Sequence, residues 1–463
     1  MSFPEAFIKR LKKQDYIDSD NLLEALKEVS PVSIRLNRRK WNLRPAAGRP
    51  VAWCTDGYYL NERPSYIFDP LFHAGAYYPQ EASGMFLEQI FRQLNLSLSK
   101  LRILDLCGAP GGKSTHLASL LSDSGLLVAN EVIRARAAVL KENLVKWGSS
   151  NSIVTQSDPA AFGKIPGFFD VILIDAPCSG EGMFRDAKAV AEWSERHTQF
   201  CSDRQKRILM DVWPALKKNG ILIYSTCTFN PEENEANIKW LSDQKELISL
   251  KLDISEFPGI TEIRHGSIYG YGFHPGKIQG EGLFISVLRK TEGEDSDYRS
   301  SKMLNTGNLT REERDLAEKW SLFNPEIIVK AGDDLIACPA MPGDYKRLAG
   351  IINIIRWGTR IGTRKGSAFI PSHEIAMSYF CRKGLFPETD LDKQQALDYL
   401  GRKDLNISGC PVGWNLFRYK GINLGFANNI GSRINNYYPA EWRIKYADPE
   451  KTQHKILQWE NAS

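Results

Sequence analysis

The sequence predicts an α/β protein built on a doubly wound parallel sheet, with an α+β extension before it and smaller α+β or barrel-like units after it. Three observations carry this. Between residues ~100 and 290, short apolar, β-branched-rich runs alternate with helical segments, the pattern of repeated βα units. The first run passes into a glycine-rich loop, Cys107-Gly108-Ala109-Pro110-Gly111-Gly112-Lys113-Ser114. Two later runs, Val171–Cys178 and Ile221–Cys227, each close on a cysteine. Each run is short and bounded by turn chemistry, so it reads as a buried parallel strand and not a helix. Ligands of open α/β sheets collect outside the carboxyl ends of the strands, where all three runs stop.

Taken in order, residues 1–98 read as mixed helix and loop, with a helix starting near Gln80-Glu81-Ala82-Ser83. Residues 99–290 hold the sheet. A strand at 101–106 meets a helix from Lys113, and one at Leu126–Ala129 meets a helix over Arg134–Trp147. A short strand at Ile153–Thr155, the two cysteine-terminated strands and a last one over Gly282–Arg289 follow. The polar stretch 291–309 reads as a linker, 310–385 as a small α+β domain and 386–463 as a second module with glycine turns.

A chain of 463 residues needs more than one core. Hydrophobic content of 42% and charged content of 25% are those of a soluble globular protein. No apolar run reaches the ~18 residues of a membrane span, and the charged, amphipathic N-terminus lacks a signal-peptide core. Eight cysteines without regular spacing make no disulfide framework, and no CxxC pair or His/Cys cluster points to a metal. The expectation is a cytoplasmic monomer with reduced thiols. The net charge of +5 is unevenly placed. One basic group contains Arg35, Asn37 and Arg38; another contains Arg356 and Arg360 interleaved with Trp357 and Phe369. Charge mixed with rings suits a nucleic-acid surface, while each group alone is as readily a solvated helix face.

Gly111-Gly112-Lys113-Ser114 invites a Walker reading, but Cys107 stands where that motif needs its first glycine. The alternative is a loop whose glycines let the backbone approach a nucleoside ligand. Glu131, after the second strand, then takes ribose hydroxyls, and Asp158, after the third, an adenine amino group. Either acid alone is more readily a capping carboxylate. Cys178, Cys227 and Asp175 converge beside that loop, a geometry suited to covalent attack on a pyrimidine ring.

Cys107–Ser114, Asp175–Arg185 and Ser225–Glu235, with Tyr77–Ser83 and Gly280–Phe284, resemble the signature blocks of the Fmu/Sun-type RNA cytosine-5 methyltransferases. The short N-terminal region and the long tail, with Gly421–Phe426 and Asn436–Arg443, are similar to the bacterial RsmF type and its PUA-like RNA-binding module. The resemblance implies a Rossmann-like domain that binds S-adenosyl-L-methionine and methylates carbon 5 of cytosine in RNA. It implies 16S ribosomal RNA, or the small ribosomal subunit, as the partner. Cys227 is then the nucleophile and Cys178 serves product release or acts as base. Asp175 bonds the ring, and Lys113 lowers or orients the Cys227 thiol. The donor site takes in Cys107, Gly108, Ala109, Pro110, Gly111, Gly112, Lys113, Glu131, Arg136, Asp158 and Asp175. The target base must be unpaired or flipped out, and Arg185 with Tyr77 or Tyr78 is expected to line its pocket. The other six cysteines read as inert small hydrophobes. Three rivals stand beside this reading: a transfer-RNA methyltransferase, a non-catalytic RNA-binding assembly factor, and a P-loop ATPase that the shortened loop disfavours.

Overall fold

The computed structural model describes residues 2–96, 98–293, 309–338, 342–445 and 455–461. Most of the expected linker, 294–308, lies outside them. In the N-terminal extension β1 (Val32–Leu36), β2 (Cys54–Leu60) and β3 (Tyr77–Pro79) join Arg49–Val51 in a four-stranded antiparallel sheet. The central sheet follows: β4 (Arg102–Asp105), β5 (Leu126–Asn130), β6 (Ser152–Thr155), β7 (Phe169–Asp175) and β8 (Leu216–Thr226). Helix α1 (Gly112–Leu120) links β4 to β5, α2 (Arg134–Trp147) links β5 to β6, and α3 (Glu195–Val212) lies between β7 and β8.

These five strands run parallel in the order β8-β7-β4-β5-β6. They are apolar on both faces because both faces are covered. Ile103, Leu127 and Val171 enter one core cluster, while their neighbours Leu104, Val128 and Ile172 enter the other. All six are fully buried, and each such side chain contributes about 1.5–3 kcal/mol. The chain leaves β4 toward β5 and later returns on the other side as β7, so the sheet has its switch point between β4 and β7.

Three features depart from the expectation. A hairpin, β9 (Ile260–His265) and β10 (Ile268–Phe273), adds two antiparallel strands that had no counterpart in the reading of 99–290. The last expected strand, β11 (Leu283–Lys290), pairs antiparallel with β8, closing that side as β9-β10-β11-β8. At the far edge β12 (Ile354–Trp357), placed by the sequence in a separate small domain, pairs antiparallel with β6. Tyr345, Leu348 and Ile352 pack with it into the core of the central sheet. The 310–385 segment is therefore partly integral to the sheet.

The rest of the tail forms two four-stranded sheets, one over 328–371 and one over 388–436. Trp459–Glu460 returns to pair with Arg44–Pro45 of the N-terminal extension. Among the described residues no helix is long and apolar enough to cross a membrane.

Candidate active site

The glycine loop leaves β4 at Asp105, and its shape follows from what lies beneath. A Cβ on Gly108 would sit 2.7 Å from Ser114 Oγ and 3.2 Å from Asp105 Oδ2, so only glycine fits. Gly111 has φ +122°, open to glycine and strained for other residues. Asn130, fully buried at the end of β5, ties three strand ends together. Its amide donates to Leu106 O and Ser157 O, both at 3.0 Å, and its oxygen accepts from Thr155 Oγ1 at 2.8 Å and Ser157 N at 2.9 Å. Gly108 N donates to Asn130 O at 2.8 Å. One side chain thus gathers the loop after β4, Glu131 after β5 and the turn leading to Asp158. The sequence reading missed Asn130; a polar residue closing an apolar strand was the available signal.

Glu131 is 4% exposed, accepts from Ile133 N at 3.0 Å and lies 3.5 Å from Arg136, whose guanidinium donates to Ala109 O at 2.8 Å. Asp158 is half exposed and caps the short helix Pro159–Phe162 through Ala160 N. The capping role is thus realised; it leaves the other carboxylate oxygen 3.7 Å from Arg207. Asp105 was also missed. It is fully buried, burial pushes its pKa up to about 7, and although Ser114 Oγ donates to Oδ2 at 2.6 Å, Oδ1 has no partner. An orphaned acceptor under a glycine cradle, with Glu131 and Asp175 near it, fits a cationic nucleoside such as S-adenosylmethionine.

Across the switch point, Lys113 Nζ donates to Asp175 Oδ2 at 2.7 Å and Ser225 Oγ donates to Oδ1 at 2.7 Å. Burial pulls the Lys113 pKa down, but Asp175, Asp105 and Glu81 outweigh it and raise the value, so the ammonium persists. Lys113 was expected at the Cys227 thiol; its bond is to Asp175.

Cys178 and Cys227, brought together by the parallel register Ser225↔Asp175, hold their sulfurs 2.9 Å apart. Cys227 N donates to Cys178 Sγ at 3.2 Å. The hydrogen bond with Cys227, then burial, push the Cys178 thiol well above its ordinary pKa, so this thiol keeps its proton. Glu233, fully buried, accepts from Ser179 N at 2.9 Å and from Gln205 Nε2 at 3.1 Å, while Gln205 also donates to Pro177 O at 3.0 Å. This clamp from α3 and the segment after β8 fixes both cysteine loops. Glu233 lay inside a quoted block, yet nothing local marked it as buried.

The expected RNA contacts are mostly internal. Arg35 is 2% exposed, donating to Gln80 Oε1 at 2.8 Å and Thr115 Oγ1 at 2.7 Å over the Trp147 ring. Asn37 bonds Gly75 O and Trp147 O, and Arg38 pairs with Asp56. Buried Tyr77 donates to Asp69. Arg185 is spent on Glu281 and the Gly280 and Ala25 carbonyls, and Arg356 on Glu374 and Ser152. Long basic side chains whose partners arrive from distant segments read as surface charge in the sequence. Arg360 has the most open side chain of this group, yet it too is half-buried, 3.5 Å from Asp334 and donating to Ser372 Oγ at 3.4 Å.

Three family models match this chain in succession. The N-terminal domain of 16S rRNA methyltransferase RsmF covers residues 3–82, 16S rRNA methyltransferase RsmB/F covers 93–289, and the methyltransferase RsmF PUA domain covers 386–444. The chain belongs to the RsmF-type methyltransferases of the Fmu/Sun family. A Shewanella loihica protein named ribosomal RNA small subunit methyltransferase F is 29% identical, over 94% of each chain. The Shigella boydii protein of the same name is 28% identical over 95% of this chain and 96% of that one. Among solved structures, a methyltransferase homologue from Pyrococcus horikoshii superposes with a TM-score of 0.53 at 28% identity, over 62% of this chain and 96% of its own. In this family S-adenosylmethionine is the methyl donor.

Proposed function

We propose that the protein methylates carbon 5 of an unpaired cytosine in 16S ribosomal RNA, with Cys227 as nucleophile and Cys178 as the group that lets the product go. The observation that carries this is the pair of touching thiols facing Asp175 and the glycine loop across the switch point. S-adenosylmethionine, when bound, supplies an electrophilic methyl group. Carbon 5 of cytosine cannot take that methyl unaided. The Cys227 thiolate adds to carbon 6, its electron pair forming the S–C bond while the ring's π electrons shift and make carbon 5 nucleophilic. Asp175 and Lys113 place a carboxylate and an ammonium beside the ring, where charge builds as the sulfur adds. After methyl transfer, carbon 5 gives its proton to a water molecule, the electron pair of that C–H bond reforms the carbon 5–carbon 6 double bond, and the C–S pair leaves with the Cys227 sulfur. The Cys178 S–H, held protonated against Cys227 Sγ, stabilises that departing thiolate by hydrogen bonding. The family match and the tail module support ribosomal RNA over transfer RNA.

Single cysteine variants test the division of labour. Cys227→Ala is expected to be inactive and to carry no RNA. Cys178→Ala is expected to attack and methylate but stall as a protein–RNA adduct that survives denaturing electrophoresis and disappears in the double variant. An adduct in Cys227→Ala and none in Cys178→Ala reverses the roles, and activity retained in both removes the covalent step. Bisulfite sequencing of ribosomal and transfer RNA from a deletion strain decides the substrate.

A further inference from the structure

Outside the thiol site, a recess lies where three parts of the chain meet. Its volume is about 520 Å³, within the range of small-ligand pockets. The N-terminal extension contributes Arg63, Tyr66 and Phe72, α2 contributes Lys146, and the tail contributes Trp442 and Arg443. The rings of Tyr66 and Phe72 stand 6.2 Å apart, and Lys146 Nζ lies 5.5 Å from Phe72 and 5.8 Å from Trp442. Lys146 is held in place, hydrogen-bonded to Glu142 and 3.4 Å from His73 Nδ1. Arg63 and Arg443 are exposed at the rim and have no ion-pair partner among the described residues. Apolar side chains beside the recess, Ile67 and Val139, are 46% and 44% exposed. The recess adjoins the donor loop through one residue. Asn143 lines it while donating to Pro110 O at 2.8 Å.

We infer that this recess holds one unpaired nucleotide of the substrate RNA, its base against Trp442, Tyr66 and Phe72 and its phosphates on Arg63 and Arg443. The inference rests on the RNA reading above and deepens it. Rings supply a stacking surface that any base can use, and unpartnered rim arginines supply charge for the backbone. An uncharged or anion-free ligand would leave both arginines without a role. The wall shared by extension, α2 and tail explains why a module so far along the sequence lies against the donor side of the sheet: RNA gripped there is held beside the donor loop. Trp442 and Arg443 fall within the tail segment that matches the PUA model, while the opposite wall comes from the N-terminal extension, so neither part forms the pocket alone.

Two variants test this in the full-length protein: Arg63→Glu with Arg443→Glu, at exposed positions that leave the core untouched, and Trp442→Ala. Binding of a fluorescein-labelled single-stranded RNA is followed by anisotropy across a salt series, with S-adenosylmethionine binding by calorimetry as the control. Trp442→Ala is expected to weaken RNA binding by about 5- to 150-fold, the scale of one stacked base. The rim variant is expected to lower the magnitude of the salt slope by ~1.4, at ~0.7 for each of two phosphate contacts. Donor binding stays unchanged in both. RNA carrying 4-thiouridine is expected to crosslink to a peptide containing Trp442. Wild-type affinity and salt slope in both variants overturn the pocket while leaving the functional reading intact. A wild-type chain that binds no RNA overturns both.

Discussion

Replacing Arg35 by alanine tests whether this arginine belongs to the core or to an RNA surface. Its guanidinium joins β1 to α1 and to Gln80, donating at 2.8 Å to Gln80 Oε1 and at 2.7 Å to Thr115 Oγ1, and stacks 4.4 Å from the Trp147 ring. Hydrogen bonds to a charged group contribute about 1.5–3 kcal/mol each and a desolvated cation–π contact about 2, so about 5–8 kcal/mol is gained. Burial opposes this. It draws the Arg35 pKa from 12.5 to about 10, a cost of about 3 kcal/mol. The difference predicts that Arg35→Ala loses about 2–5 kcal/mol of stability. Urea denaturation followed by tryptophan fluorescence measures it as a lower midpoint at unchanged slope, with Trp147 itself among the reporters. RNA affinity of the folded variant should keep the wild-type salt slope, because no phosphate contact is lost. A variant with wild-type stability, weaker RNA binding and a shallower salt slope would refute the reasoning and return Arg35 to the surface.

Glu131→Ala is expected to weaken S-adenosylmethionine binding by ~1–3 kcal/mol, read by calorimetry, the cost of one hydrogen bond at a charged acceptor; unchanged binding removes Glu131 from the site. Burial pulls His73, His116 and His274 down to about 3, 4 and 4. The unfolded chain protonates these groups near ~6.5, so stability is intact above that pH and falls by about 1.4 kcal/mol per pH unit for each histidine toward pH 4. Urea midpoints between neutral and mildly acid pH check this, and a flat profile contradicts it. Ending the chain at Thr291 strips β12 from β6, so the product should self-associate on size exclusion more than the full chain does; a fragment with the full chain's elution behaviour and melting temperature would show the edge strand to be dispensable.

What could be read in advance follows from how local each signal is. The parallel strands, the glycine loop and the two thiols announce themselves within windows of about ten residues, because an apolar run and its terminating turn are contiguous. The hairpin over Ile260–Phe273 did not, since its residues are an irregular mix of buried and exposed, Ile268 beside half-exposed Tyr269, without a clean alternation. β12 is a short run whose partner stands about two hundred residues earlier, and no periodicity reports such a pairing. The basic group at Arg35–Arg38 misled for a related reason: composition says how much charge is present, while Gln80, Asp56 and Trp147 decide where it points. Asp105, Asn130 and Glu233 sit at strand or loop ends inside segments already singled out, and only the assembled sheet reveals what they hold.

The edge position of β12 also sets a clock for synthesis. Strand β11 ends at Lys290 and β12 at Trp357, so 67 more residues must be made before β6 gains its outer neighbour. At ~5–20 residues per second, a nearly complete sheet stands with its β6 edge bare for about 3–13 s. During that interval the nascent chain offers unpaired backbone groups to any passing strand. Slow translation of 291–357 lengthens the exposure, and whatever shields β6 in the meantime governs how much of the protein reaches its final form.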